Sequence, residues 1–246
     1  MTTKSRRAPT RKTSAVKERH PDRGALVREQ LIAQGTRIFA AKGYAAASTR
    51  EICQAAGANI AAIHYYFGDK EGLYRAALTK PMSAITDQFG GFDDPTLSFA
   101  QAIRRVLEPF VAMALDENAD ALHVQRLHLR ESLEPSEVFR DVVARVVVPQ
   151  HNALAGLLAQ HCGLARPDAG VHQLAFALIA MANDYCMSRE FMRMLAPEVL
   201  DRDDALRRIV DRLVGYSGAL LEHEIVHRRA LAASKPKRRR STTRHD

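Results

Sequence analysis

Between Ser48 and Asp69 the chain carries three helix-start signals in quick succession, and they leave room only for short helices joined by tight turns. Ser48-Thr49-Arg50-Glu51 has the form of a capping box, in which Ser48 bonds the N3 amide and Glu51 reaches back. Gly57 supplies the left-handed turn that glycine alone adopts cheaply, so the helix begun at Ser48 is short. Asn59 then caps a helix from Ile60 to Phe67, and Asp69 caps another beginning at Lys70. Upstream, Leu31, Ile32, Gly35, Ile38 and Phe39 form one stripe of a helix that Gly43 ends. A capped short helix, a glycine turn and a second short helix make a helix-turn-helix.

The second helix of that pair is chemically legible. At about 100° per residue, Ile63 and Phe67 share the buried face, with Ile60 close by. Ala61, Ala62 and Tyr65 point the other way, and His64 and Tyr66 flank them. Small alanines let a helix sink close to base edges, and their methyls can meet thymine methyls. Tyrosine and histidine at the flanks can donate to phosphates without demanding a particular base. The preceding helix sets Thr49 and Arg50 beside the same groove, and Arg50 is the one long bidentate donor there. Phe39, Tyr44, Leu73 and Cys53 are expected in the core of this unit.

The net charge of +8 is unevenly spread. Residues 1–24 carry eight Lys/Arg against Glu18 and Asp22, and residues 227–246 carry eight against Asp246 alone. Residues 25–80 are also basic, whereas 81–226 contain no lysine and are acidic overall. Basic ends and a basic front segment flanking an acidic body point to a polyanion that meets the front of the molecule. Residues 1–24 and 233–246 lack amphipathic periodicity and read as disordered basic arms. Lys235 to Arg240 also has the look of a nuclear-import patch, weighed against a solvated or phosphate-touching tail.

Several classes drop out. No run of eighteen apolar residues is visible, which argues against a membrane span. Cys53, Cys162 and Cys186 are odd in number and widely spaced, so a disulfide scaffold and a zinc finger do not fit; a reducing cytoplasm does. The sequence has no GxSxG, P-loop or GxGxxG, so no enzyme and no cofactor are expected. An architectural nucleic-acid-binding protein, holding any duplex through its basic arms, is the competing non-enzymatic reading.

Beyond residue 80 helical stretches are expected near 97–116, 119–133, 137–162, 168–195 and 203–232, with a kink near Pro149, so the fold class is all-α. The apolar segments near 172–190 and 204–221 read as dimer-forming helices, with Ile179 and Leu213 as interface probes. Met181, Met187, Met192 and Met194 are candidates for a cavity wall or for core filling. Asn183 and Asp184 face either a pocket or a partner, and Arg130 and Glu131 are an ion pair or ligand handles. His223 and His227, at i and i+4, could hold a metal but fit a solvated face better, so no metal site is expected.

The stretch from Ser48 to Tyr74 resembles the DNA-binding signature of TetR/AcrR-type transcriptional repressors, and Phe39-Ala-Ala-Lys-Gly-Tyr44 resembles the family's close of the preceding helix. Arg130 to Glu137 further resembles the subgroup with a CecR/CerR-like C-terminal domain. The resemblance implies a three-helix DNA-binding head over residues 25–80 and a ligand-binding, dimerising helical body over 81–232. By position, Thr49, Asn59, His64, Tyr66 and Lys70 fall at the backbone-contacting and capping positions; Arg50, Ala61, Ala62 and Tyr65 fall at base-facing ones. Cys53, His64 and Tyr66 depart from the residues usual at their places, and Pro81 interrupts the helix that links head to body. The implied function is a homodimeric cytoplasmic regulator, a repressor released from a pseudo-palindromic double-stranded DNA operator by a small-molecule effector, with no membrane partner.

Overall fold

The structure, a computed structural model, describes residues 23–116, 118–201 and 203–234. Residues 1–22 and 235–246, with the import-like patch, lie outside the described residues. Among those described there is no strand. The chain runs α1 (Arg23–Ala46), α2 (Thr49–Ala55), α3 (Ala61–Phe67), α4 (Lys70–Gln88), α5 (Phe99–Leu115), α6 (Ala119–Leu133), α7 (Glu137–Val142), α8 (Val148–His161), α9 (Ala169–Met187), α10 (Arg189–Leu195) and α11 (Ala205–Ser234).

Most helix starts follow local chemistry. Asp69 Oδ1 accepts from the Gly72 amide at 2.8 Å, and Ser98 and Gln101 form a complete capping box at α5. The side chains of Ser136 and Asp168 cap α7 and α9 by accepting from the Phe139 and Val171 amides. The capping box expected at Ser48 does not form: the Ser48 side chain makes no cap bond. Glu51 instead takes both carboxylate oxygens to Lys42 Nζ, at 2.7 and 2.9 Å. A charge-assisted pair outcompetes a bond to a neutral backbone amide.

Gly43 leaves the helical region at φ 78°, and Gly57 adopts φ 62° between α2 and α3. There the Ala58 amide reaches back to the Cys53 carbonyl and the Gly57 amide to Gln54, a Schellman closure that lets α3 turn sharply out of α2. Pro81 does not end α4, which continues to Gln88. The disturbance expected near Pro149 falls just before it. Val143–Val147 is a π-helical turn, with the Val148 amide bonded to the Val143 carbonyl. Pro149 has no N–H for the carbonyl four residues back, and the widened turn absorbs the mismatch. The stretch expected over 168–195 breaks at Ser188 into α9 and α10.

Two apolar cores result. The first is built from α1 to α4 by Leu31, Phe39, Ile52, Ile63, Leu73 and Leu78, but Leu127 of α6 and Val138 and Val142 of α7 close it from outside. The second joins α5, α8, α9 and α11 through Leu107, Leu158, Leu178 and Val210. Leu213, only 3% exposed, belongs to this second core, so it cannot serve as an interface probe. Ile179 also packs against it. By length and a mean hydropathy of 1.3, the helical stretch Glu137–His161 could cross a bilayer, contrary to the sequence expectation; here it contributes to both cores. Arg228, counted with the basic tail, sits on α11 and pairs with Asp168 at 2.6 Å and with Glu224 at 2.6 Å.

Candidate nucleic-acid interface and internal cavity

α3 is held by few anchors. Ile63 is buried under it, and Ala62, Tyr66 and Phe67 lean against the first core from its sides. Ile60, expected near the buried face, is 54% exposed because the helix begins one residue later than the sequence suggests. Asn59 Oδ1 accepts from the Ala61 amide at 2.9 Å and so caps α3 from outside. Tyr65 stands 81% exposed, with Ala61 and His64 also exposed beside it. The rings of Tyr65 and Tyr66 meet edge to face at 4.8 Å, which stiffens the outward ring.

The expected face is therefore divided. Arg50, Asn59, Ala61, His64 and Tyr65 are solvent-facing, whereas Thr49, Ala62, Tyr66 and Lys70 are half-buried. Ala62 departs from the expected outward set for that reason. Lys70 Nζ lies 4.6 Å over the Tyr44 ring and 3.4 Å from the Ala45 carbonyl, a cation held against an aromatic face. Tyr44, expected in the core, lies at its rim. Cys53 is buried, and burial pushes its thiol up, away from the reactive thiolate.

Behind the first core, α4 to α9 wall a partly open cavity of about 360 Å³. Apolar side chains make most of its wall, among them Phe89, Phe110, Phe139 and Met113. Of the four methionines considered from sequence, Met187 lines it; Met181 and Met192 pack in the second core, and Met194 is exposed. Asn183 lines it too, whereas Asp184 turns out and accepts from Ser188 Oγ at 2.6 Å. His151 stands at the rim, its ring stacked 4.6 Å from Phe176 and its Nε2 2.9 Å from His172 Nδ1.

α6 faces two ways. Gln125, His128, Leu129 and Ser132 line the cavity, while Leu127 closes the first core and Arg130 lies over Gly43. His128 Nδ1 pairs with the Val124 carbonyl at 3.0 Å, and Nε2 has no hydrogen-bond partner. Burial holds this imidazole below its usual range, against the opposing pull of the Val124 and Leu78 carbonyls and of Glu131. Glu131 is 3% exposed and is a structural hub, neither an ion pair with Arg130 nor a ligand handle. Its Oε1 accepts from the Tyr74 hydroxyl, and its Oε2 accepts from the Ser136 amide and hydroxyl, both at 2.8 Å. Periodicity offered no signal for this hub, since its partners lie on two other elements, α4 and the start of α7.

Among the described residues no group of three or more His, Cys, Asp or Glu could hold a metal ion. His223 and His227 lie on α11 with parallel rings 6.3 Å apart.

Comparison with known proteins bears on both parts. Residues 31–77 match the family described as bacterial regulatory proteins, tetR family, and residues 99–220 match the C-terminal domain of HTH-type transcriptional dual regulator CecR. The CecR protein of Shigella flexneri is 31% identical over 179 residues, covering 68% of this chain and 79% of the relative. A tetR-family transcriptional regulator from Streptomyces coelicolor has the same fold, with TM-score 0.54 at 20% identity over 84% of this chain and 85% of that one. So has AibR, solved in complex with isovaleryl coenzyme A and operator DNA, with TM-score 0.55 at 17% identity over 77% and 97%. With its helix-turn-helix and its cavity-bearing body matched together, the chain belongs to the TetR family of transcriptional regulators and carries a CecR-type C-terminal domain.

Proposed function

We propose that this regulator is a homodimeric repressor that leaves a pseudo-palindromic operator when a small molecule fills the cavity. The observation that carries this reading is the double-sided α6, which presents Gln125 and His128 to the cavity and Leu127 and Glu131 to the DNA-binding end. A ligand that displaces α6 must move groups that the first core also uses. AibR, solved in complex with isovaleryl coenzyme A and operator DNA, is a protein of this fold that takes both a small molecule and an operator. Coupling needs only a differential of a few kcal/mol: a hundredfold change in operator affinity is about 2.7 kcal/mol.

On this reading residues 25–80 form the head and 81–232 the body. Arg50, Ala61 and Tyr65 meet base edges; Thr49, Asn59, His64, Tyr66 and Lys70 contact or position the phosphate backbone, and half-buried Ala62 follows α3 into the groove. Two heads must fit successive major grooves about 34 Å apart. The dimer surface we assign is the exposed stripe Phe176, Ala177 and Ala180 on α9 with Tyr216, Ala219 and Leu220 on α11. The site of action is the cytoplasm, and the chain acts without catalysis.

The test is selection from random duplexes by the full chain, followed by sequencing. The expected product is one inverted repeat, bound at least about 10³ times more tightly than unrelated duplex. Equal affinity for every duplex would favour an architectural role and remove the repressor reading.

A further inference from the structure

We propose that the effector is a compact, uncharged, largely apolar molecule bearing a hydroxyl group that is held between Gln125 and His128. The proposal rests on the reading of this cavity as the effector site, and it adds the chemistry of the ligand.

Charge is the first constraint. Among the described residues that line the cavity there is no Asp, Glu, Lys or Arg. An ionised ligand entering it would lose its water and meet no counter-ion, and burying an unpaired charge is strongly unfavourable. Glu131, on the same helix as Gln125 and His128, is already committed to Tyr74 and Ser136. An acyl-CoA such as the ligand of AibR carries several phosphate charges that these walls cannot match.

Size and surface are the second constraint. At about 360 Å³ the cavity lies near the small end of ligand sites, which run from roughly 300 to 1,000 Å³. Phe89, Phe110 and Phe139 offer ring faces and edges, and Met113 and Met187 adapt to an irregular outline. One ring with a short alkyl chain suits such a space.

The polar end is the third. Gln125 and His128 are three residues apart on α6, so they share a face. The Gln125 amide nitrogen and His128 Nε2 have no hydrogen-bond partner and almost no surface open even to a water-sized group, so a ligand must turn these side chains toward the cavity to reach them. A buried polar group left unpaired is costly, and a ligand that satisfies it recovers that cost. His128 Nδ1 bonds a carbonyl, so it carries the ring proton. Nε2 of the neutral ring then offers a lone pair. Turned inward, the pair offers one acceptor and one donor, and a hydroxyl group answers both: it donates to His128 Nε2 and accepts from Gln125.

The experiment is isothermal titration calorimetry at pH 7 on the full chain with three matched probes: 4-propylphenol, propylbenzene and 4-propylbenzoate. The phenol should bind at least tenfold tighter than the hydrocarbon, about 1.4 kcal/mol. The benzoate should be weaker than the phenol by at least the same factor. In Gln125→Leu and His128→Phe, each checked for fold by circular dichroism, the advantage of phenol over hydrocarbon should disappear. A benzoate that binds as tightly as the phenol, or no phenol binding at millimolar concentration, overturns the proposal. If the phenol binds with this pattern but leaves operator affinity unchanged, the ligand chemistry stands and the effector reading of the cavity fails.

Discussion

Tyr74 and Glu131 lie 57 positions apart and share a hydrogen bond, the phenol of α4 donating to the buried carboxylate of α6. Ser136 completes the shell of Glu131 from the start of α7 and accepts from the Phe139 amide, and Phe139 lines the cavity. A continuous set of contacts therefore joins the cavity wall to the DNA-binding end. Tyr74→Phe should cost about 1–3 kcal/mol, because a buried carboxylate is deprived of one of its donors. Urea unfolding measures that change. The same variant should blunt the effect of a ligand on operator affinity while leaving ligand binding itself intact.

Readout by α2 and α3 separates into two kinds of effect. Arg50→Ala should cost about 1–3 kcal/mol at one base position if its guanidinium is bidentate to guanine. Tyr65→Ala should relax preference at neighbouring positions. Measuring each variant against single-base operator changes decides the matter. Uniform weakening on every sequence assigns both side chains to the backbone.

The dimer stripe makes a contrast between two leucines one helix face apart. Leu220→Glu should yield a folded monomer at micromolar concentration, because it introduces a charge on the exposed stripe of α11. Leu213→Glu should unfold the subunit, since Leu213 lies in the second core. Sedimentation velocity paired with circular dichroism distinguishes the two. A native chain that sediments as a monomer sinks both the stripe and the palindromic operator.

Acid should destabilise the protein partly through His128. Burial lowers its folded pKa, so below the ordinary histidine value of about 6.5 the unfolded chain takes up a proton that the folded one refuses. Stability contributed by this site is complete above that value and is lost as pH falls toward the lowered one. One proton accounts for at most about 1.4 kcal/mol per pH unit. His128→Gln should flatten the slope of stability between pH 6.5 and 5; an unchanged slope means that this imidazole protonates freely in the fold.

The basic arm before α1 should reach DNA phosphates. Each phosphate neutralised steepens the slope of log affinity against log salt by about 0.9. Deleting residues 1–20 should flatten that slope by roughly one to three units, the change expected if the arm engages one to three phosphates. Deleting 233–246 should change it little. Arg228 and Arg229 precede that cut, and Arg228 is already neutralised by Asp168 and Glu224. Equal slopes for the full chain and the chain without its first twenty residues would remove the arm from the mechanism.

Local signals in the sequence determined the helices and the turn between α2 and α3. Gly57, Asn59 and Asp69 act within a few residues of themselves, so their effect is written in the order of the chain. Apolar periodicity likewise located most of the helical stretches from α5 to α11. The sequence also carried the outward face of α3, except where Ala62 and Tyr66 turn partly inward. Tertiary structure decided what spacing cannot encode. Glu51 chose Lys42 over its own helix start, and Leu213 went to the subunit core instead of a partner. Glu131 became a hub through Tyr74 and Ser136, and Gln125 and His128 became the polar end of a cavity. Each of these outcomes depends on which elements meet across the fold. Local propensity is blind to such meetings because burial and pairing are properties of the packed whole.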